Sequence, residues 1–164
     1  MIIKANTRSS GQELAAHLLN AEDNEHVTVH DIRGFVGHDL HNAMQEAEAI
    51  SRATKCQKYL FSVSLNPPEY ADVSEEDFED AASRIEIEFD LIGQPRAMVL
   101  HEKEGRLHAH CVWSVIDTEK MKAIHLSFYK KRMMGIAHDL YLEHGWDMPN
   151  GLRPFGTPDP NHYE

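Results

Sequence analysis

The stretch Val99-Leu100-His101-Glu102-Lys103-Glu104-Gly105-Arg106-Leu107-His108-Ala109-His110-Cys111-Val112-Trp113 decides the fold. Two strand-like segments, 96–101 and 106–116, flank the Glu104-Gly105 pair, whose chemistry is that of a tight turn. Segments this close in sequence pair antiparallel, because a parallel partner needs a crossover of a dozen residues or more. A wholly parallel sheet is thereby excluded. Side chains two apart in a strand share a face, so His108 and His110 point one way while Leu107, Ala109 and Cys111 point the other. The hairpin folds His101 back toward His108. Three imidazoles on one face make a facial site for a divalent metal, leaving positions open for water or phosphate oxygens. The chain has 12 histidines, and any one alone reads as a surface group. Their common face singles these three out. His125, His138 and His144 have no such arrangement and read as helix-surface or capping residues, His144 near a helix C-terminus.

Working outward, Tyr59-Leu60-Phe61-Ser62-Val63-Ser64-Leu65 reads as a strand ended by Pro67-Pro68. Ser74-Glu75-Glu76-Asp77 has the form of a capping box. It opens a helix with Phe78, Ala82, Ile85, Phe89 and Ile92 on one side and Gly93 as terminator. Earlier in the chain, residues 2–6 read as a strand, and Ser10-Gly11-Gln12-Glu13 as a capping box before the Leu14, Leu18, Leu19 stripe. The acidic run at 22–25 ends that helix, Val27, Val29 and Ile32 mark a strand stopping near Gly34, and Leu40–Ile50 has helical spacing. A last helix, capped by Ser127, runs to Gly145. The expected fold is an α+β sandwich: a central, mainly antiparallel sheet of about five strands with helices packed on it. Residues 1–148 form one domain, and 149–164 a Pro-rich extended tail or linker.

The 164 residues can bury a real core, and 41% apolar with 26% charged content is that of an ordinary globular domain. No apolar run approaches the ~20 residues of a membrane span. Met1-Ile2-Ile3-Lys4 lacks the basic flank and apolar core of a signal peptide, and Cys56 and Cys111 make no zinc-type pair. The expected location is cytoplasmic. The net charge of −11 argues against a nucleic-acid partner, since phosphate binding rests on Lys and Arg. The acid, however, gathers at 22–25 and from Glu69 to Asp90, whereas Lys103, Arg106, Lys120, Lys122, Lys130, Lys131 and Arg132 crowd one later segment. A locally basic face on an acidic body is compatible with this pattern.

The run His101-x6-His108-Ala109-His110, set in an apolar hairpin, resembles the third motif of relaxases. These are the conjugative mobilisation nucleases of the His-hydrophobe-His endonuclease superfamily. Tyr59–Ser64 resembles the family's upstream strand, and the segment from Leu126-Ser127 to Glu143-His144-Gly145 resembles the family's helix downstream of the histidine motif. The resemblance spans most of residues 8–145. It implies a metal-dependent endonuclease and strand transferase that nicks single-stranded DNA at a transfer origin and stays bonded to the 5′ phosphate. It implies Mn²⁺ or Mg²⁺ as the cofactor, with Zn²⁺ and Ni²⁺ also compatible with the donors, and accessory relaxosome and coupling proteins as partners.

Relaxases usually attack with a tyrosine on the first helix, and here Ala15-Ala16-His17-Leu18-Leu19 carries histidine at that place. His17 is therefore the candidate nucleophile, with Glu13 one turn earlier on the same helix face to orient its ring. A later tyrosine, Tyr70 or Tyr129, is the alternative, and a homologue that binds without cutting is a third reading. Half-burial at the edge of the Leu14–Leu18 stripe would also account for His17. The resemblance assigns strand binding to Ser64, and Lys103, Arg106, Lys130, Lys131 and Arg132 are the candidate phosphate contacts. Two rival classes stand beside it: a small-molecule metalloenzyme using the same three histidines, and a non-catalytic module built on a structural metal.

Overall fold

The computed structural model describes residues 1–20 and 26–152. The acidic run at 22–25 and most of the Pro-rich tail lie outside them. Five strands form one sheet: β1 (Ile2–Arg8), β2 (His26–Arg33), β3 (Leu60–Asn66), β4 (Arg96–Lys103) and β5 (Arg106–Ser114). Their order is β1-β3-β5-β4-β2, and every neighbouring pair is antiparallel. Four helices pack on it: α1 (Gly11–Leu19), α2 (Leu40–Ser51), α3 (Glu75–Phe89) and α4 (Tyr129–His144). The expected α+β sandwich is what the chain forms.

The period-two alternation sorts the helices into layers. Leu60, Ala97, Val99 and Val112 face one way and bury Leu14, Leu18, Leu40, Met44 and Ala47 of α1 and α2. Phe61, Val63, Leu65, Met98, Leu100, Ala109, Cys111 and Trp113 face the other way, against Phe78, Ile85 and Phe89 of α3 and Met133, Ile136 and Leu140 of α4. His101, His108 and His110 share the parity of Val99 and Val112, so they lie on the α1–α2 side.

Helix ends differ in detail from the sequence expectation. Ser10 is the residue before α1, but its side chain caps nothing; the Gly11 N–H donates instead to the Tyr59 hydroxyl at 3.1 Å. Gly11 also sets how closely α1 meets α2, because a Cβ there would lie 2.9 Å from Met44 Cβ. The Ser74 box does form, its N–H donating to the Asp77 carboxylate at 2.9 Å. α3 stops at Phe89 because Asp90 turns left-handed, which leaves Ile92 exposed rather than on the apolar stripe. Phe128, not Ser127, precedes α4. The strand expected to reach residue 116 ends at Ser114, and Ile116–Asp117 (β6) pairs with Lys122–Ala123 (β7) in a separate ribbon.

A bulge in β2 at His30 breaks the alternation, so that His30 reaches Glu79 of α3 and Asp31 reaches Arg96 of β4. Beneath them Arg96 is fully buried and donates to Asp31, Glu79 and Glu86 at 3.0–3.2 Å. This network fastens β2 and β4 to α3 on the face away from the histidines.

Candidate metal centre and adjoining cleft

The β4–β5 hairpin turns through Glu104 and Gly105, both at positive φ (55° and 75°), and pairs His101 directly with His108. His110 sits one pair further along the same face, opposite Val99. The ring centroids are 5.2 Å (His101–His108), 4.6 Å (His101–His110) and 5.5 Å (His108–His110) apart. One ligand nitrogen from each lies within 4.8 Å of the others. Among the described residues no fourth His, Cys, Asp or Glu joins the group, so it has the open form of a catalytic site.

Local chemistry favours a cation here. His101 is buried, and its Nε2 lies 2.7 Å from the Leu18 carbonyl at the end of α1. A carbonyl only accepts, so Nε2 carries a proton and Nδ1 is the nitrogen left to ligate a cation. Burial, then the neighbouring His101 and the Arg106 and Lys103 charges, lowers the His108 pKa. Burial, then His101, His108 and His17, pushes His110 down to about 3. Both rings are thus neutral donors at neutral pH. Three imidazoles converging from one hairpin fit a divalent transition metal.

Beside the histidines is a cleft of about 140 Å³ lined by Lys4, Asn6, Arg8, Leu14, His17, Leu18, Ser62, Ser64 and His110. The fold therefore brings His17 and Ser64, both expected from sequence, next to His110. Glu13 is exposed on α1, one turn from His17, but among the described residues no hydrogen bond joins them. Lys103 and Arg106 line a second cleft of about 190 Å³ with Asn66 and His108, and Arg106 is paired with Glu69 at 3.0 Å. Lys130, Lys131 and Arg132 start α4, in the layer across the sheet from the histidines. Arg132 is further occupied by Glu88, the Ser127 carbonyl and the Phe89 ring. A larger cavity of about 850 Å³ lies near the β6–β7 ribbon, and none of the three histidines lines it.

The alternative tyrosines are elsewhere. The Tyr70 hydroxyl accepts from the Asp147 N–H, Tyr129 packs edge-on against Phe61 in the opposite layer, Tyr59 is buried under α1, and Tyr141 is buried on α4. Sequence reading missed Lys4, Asn6, Arg8 and Ser62. Their signal was present as the polar alternation of β1 and β3, but it points to a site only once the strand order is known.

The family model for "Relaxase: MobA/VirD2-like, nuclease domain" matches residues 14–146. The chain belongs to this family. It is a relaxase nuclease domain, and as such a DNA-directed nuclease of a family that is generally metal-dependent, in keeping with its three-histidine group. No curated protein matches it significantly. No helix among the described residues is long and apolar enough to cross a membrane.

Proposed function

We propose that this domain nicks one strand of DNA at a transfer origin and holds the 5′ phosphate on His17. The observation that carries the reading is the common cleft of His17 and His110, which no described tyrosine lines. His101, His108 and His110 would hold a divalent ion, which would supply positive charge against the phosphate as negative charge builds in the transition state. The lone pair of one His17 nitrogen attacks phosphorus, and a P–N bond forms as the P–O3′ bond breaks. The electron pair leaves on the 3′ oxygen, which takes up a proton. The proton on the other ring nitrogen, acidified by phosphorylation, passes to water or to the Glu13 carboxylate one turn away. Ser64 donates to a phosphate oxygen: its Oγ already accepts from Asn66 Nδ2 at 3.1 Å, which leaves its own proton for the substrate. Lys103 and Arg106 steady the strand beside His108. The reverse reaction rejoins the strand, because the phosphorus never loses its bonded partner to water.

The test is a nicking assay on labelled single-stranded DNA from the cognate transfer origin, with Mn²⁺ or Mg²⁺ and then with chelator. The expected product is a covalent adduct that needs metal, is absent in His17→Ala and His108→Ala, and is cleaved by mild acid as a P–N bond is. Cutting that survives His17→Ala moves the nucleophile elsewhere. No cutting at all, with metal bound, overturns the nicking assignment.

A further inference from the structure

We propose that the edge strand β1 is the single-strand contact of this domain, with Lys4 and Arg8 holding phosphates and Asn6 between them; the inference rests on the relaxase reading above. Alternation in β1 sends Ile3 and Ala5 into the α3–α4 core and leaves Lys4, Asn6 and Arg8 on the histidine face. Register then fixes their positions. Lys4 pairs with Ser64, and Ser64 pairs with His110, so cation, hydroxyl and imidazole form one row across three strands. At about 4.8 Å between strands, the Lys4 backbone is roughly 10 Å from that of His110. Asn6 pairs with Ser62 in the next row of the same face, and Arg8 lies two residues further along β1.

Position together with charge availability separates these cations from the others. Lys103, Lys130 and Lys131 are also in no ion pair among the described residues, but Lys103 lines the other cleft and the α4 pair lies across the sheet. On a chain of net charge −11, a free cation near the site is scarce. Arg106 is paired with Glu69, and Arg132 with Glu88. Among the described residues neither Lys4 nor Arg8 is in an ion pair, and both are exposed. A backbone of negative phosphates entering the cleft along β1 meets two unpaired cations, two serine hydroxyls and one amide before it reaches His17 and His110. The seven acidic side chains of α3 lie across the sheet from this face.

The experiment measures fluorescence anisotropy of a fluorescein-labelled, mixed-sequence single-stranded oligodeoxynucleotide on the whole chain, at low salt with chelator, so that binding is read without cutting. Lys4→Gln, Arg8→Gln and their combination are compared with wild type and with the Lys130→Gln/Lys131→Gln pair. The β1 double variant is expected to lose affinity by on the order of tenfold, and the slope of log affinity against log salt to flatten by about 1.4, or about 0.7 per lost cation. Lys4→Arg and Arg8→Lys should keep wild-type affinity, and melting curves should match, since all these side chains are exposed. Wild-type affinity and slope in the β1 double variant, or a loss confined to the α4 pair, overturns the inference. If wild type still forms the His17 adduct in that case, only the β1 assignment fails; if wild type neither binds nor cuts, the relaxase reading fails with it.

Discussion

The His101 ring shows how one hydrogen bond serves two parts of the site. Its contact to the Leu18 carbonyl selects the nitrogen left for a cation and joins the hairpin to the helix that bears His17. Binding of an ion to the folded chain alone stabilises it by mass action, by about 2.7 kcal/mol at a hundredfold excess over Kd. Thermal melts with Mn²⁺ and with chelator should therefore separate for wild type and coincide for His110→Ala. A metal-induced shift that persists in His110→Ala would remove that residue from the ligand set. The Ser64–Asn66 pair makes a separate claim: Asn66→Ala should weaken strand binding less than Ser64→Ala does, because it frees the serine rather than removing it.

Among the elements, the hairpin and the bulge carry the most specific expectations. Gly105 occupies a left-handed position that costs another residue about 1–2 kcal/mol. Gly105→Ala should lower stability by about that amount in urea titrations and weaken ion binding, since His101 and His108 face each other two pairs from the turn. Arg96→Met removes the shared partner of Asp31, Glu79 and Glu86, leaving Glu86 with Arg33 alone at 2.7 Å, and should cost at most about 3–5 kcal/mol, read in the same titration. Burial by itself would raise the Glu79 carboxyl, but the hydrogen bond and charge of Arg96, with His30 adding, take it below the usual carboxylate range. The stabilisation this represents is complete above the ordinary carboxylate pKa and fades as pH falls through the lower folded value. Between about pH 5 and pH 3 the wild type should lose more stability than Glu79→Gln. The sequence made the hairpin legible, because a period of two around a turn fixes which side chains share a face. It did not reveal the bulge, where His30 meets Glu79 of α3 and Asp31 meets Arg96, nor the true cap of α1, where a distant tyrosine outcompetes Ser10. The basic start of α4 falls on the far side of the sheet for a related reason: periodicity tells which face of a helix is buried, not which side of the sheet it covers.

At the scale of the whole molecule, the domain is an acidic body with few cations at its site, and its binding should carry that signature. Four phosphate contacts from Lys4, Arg8, Lys103 and Arg106 imply a slope of log affinity against log salt of about −3 for single strands. Titrations over a range of NaCl concentrations test this, and a slope beyond about −5 would mean a much larger basic surface than the described residues offer. The antiparallel order β1-β3-β5-β4-β2 has one more consequence, for the sequence of events as the chain folds. The three histidines belong to one hairpin, and hairpins close in about 1–10 μs. His17 joins them only when α1 docks through Leu18, a contact spanning 83 residues of chain. The three ligand side chains come together within one hairpin, but the Leu18 carbonyl that orients His101 arrives only with α1. On the proposed mechanism, a chain whose hairpin has closed before α1 docks would gather the metal's ligands while lacking His17, and nicking would require the docked helix.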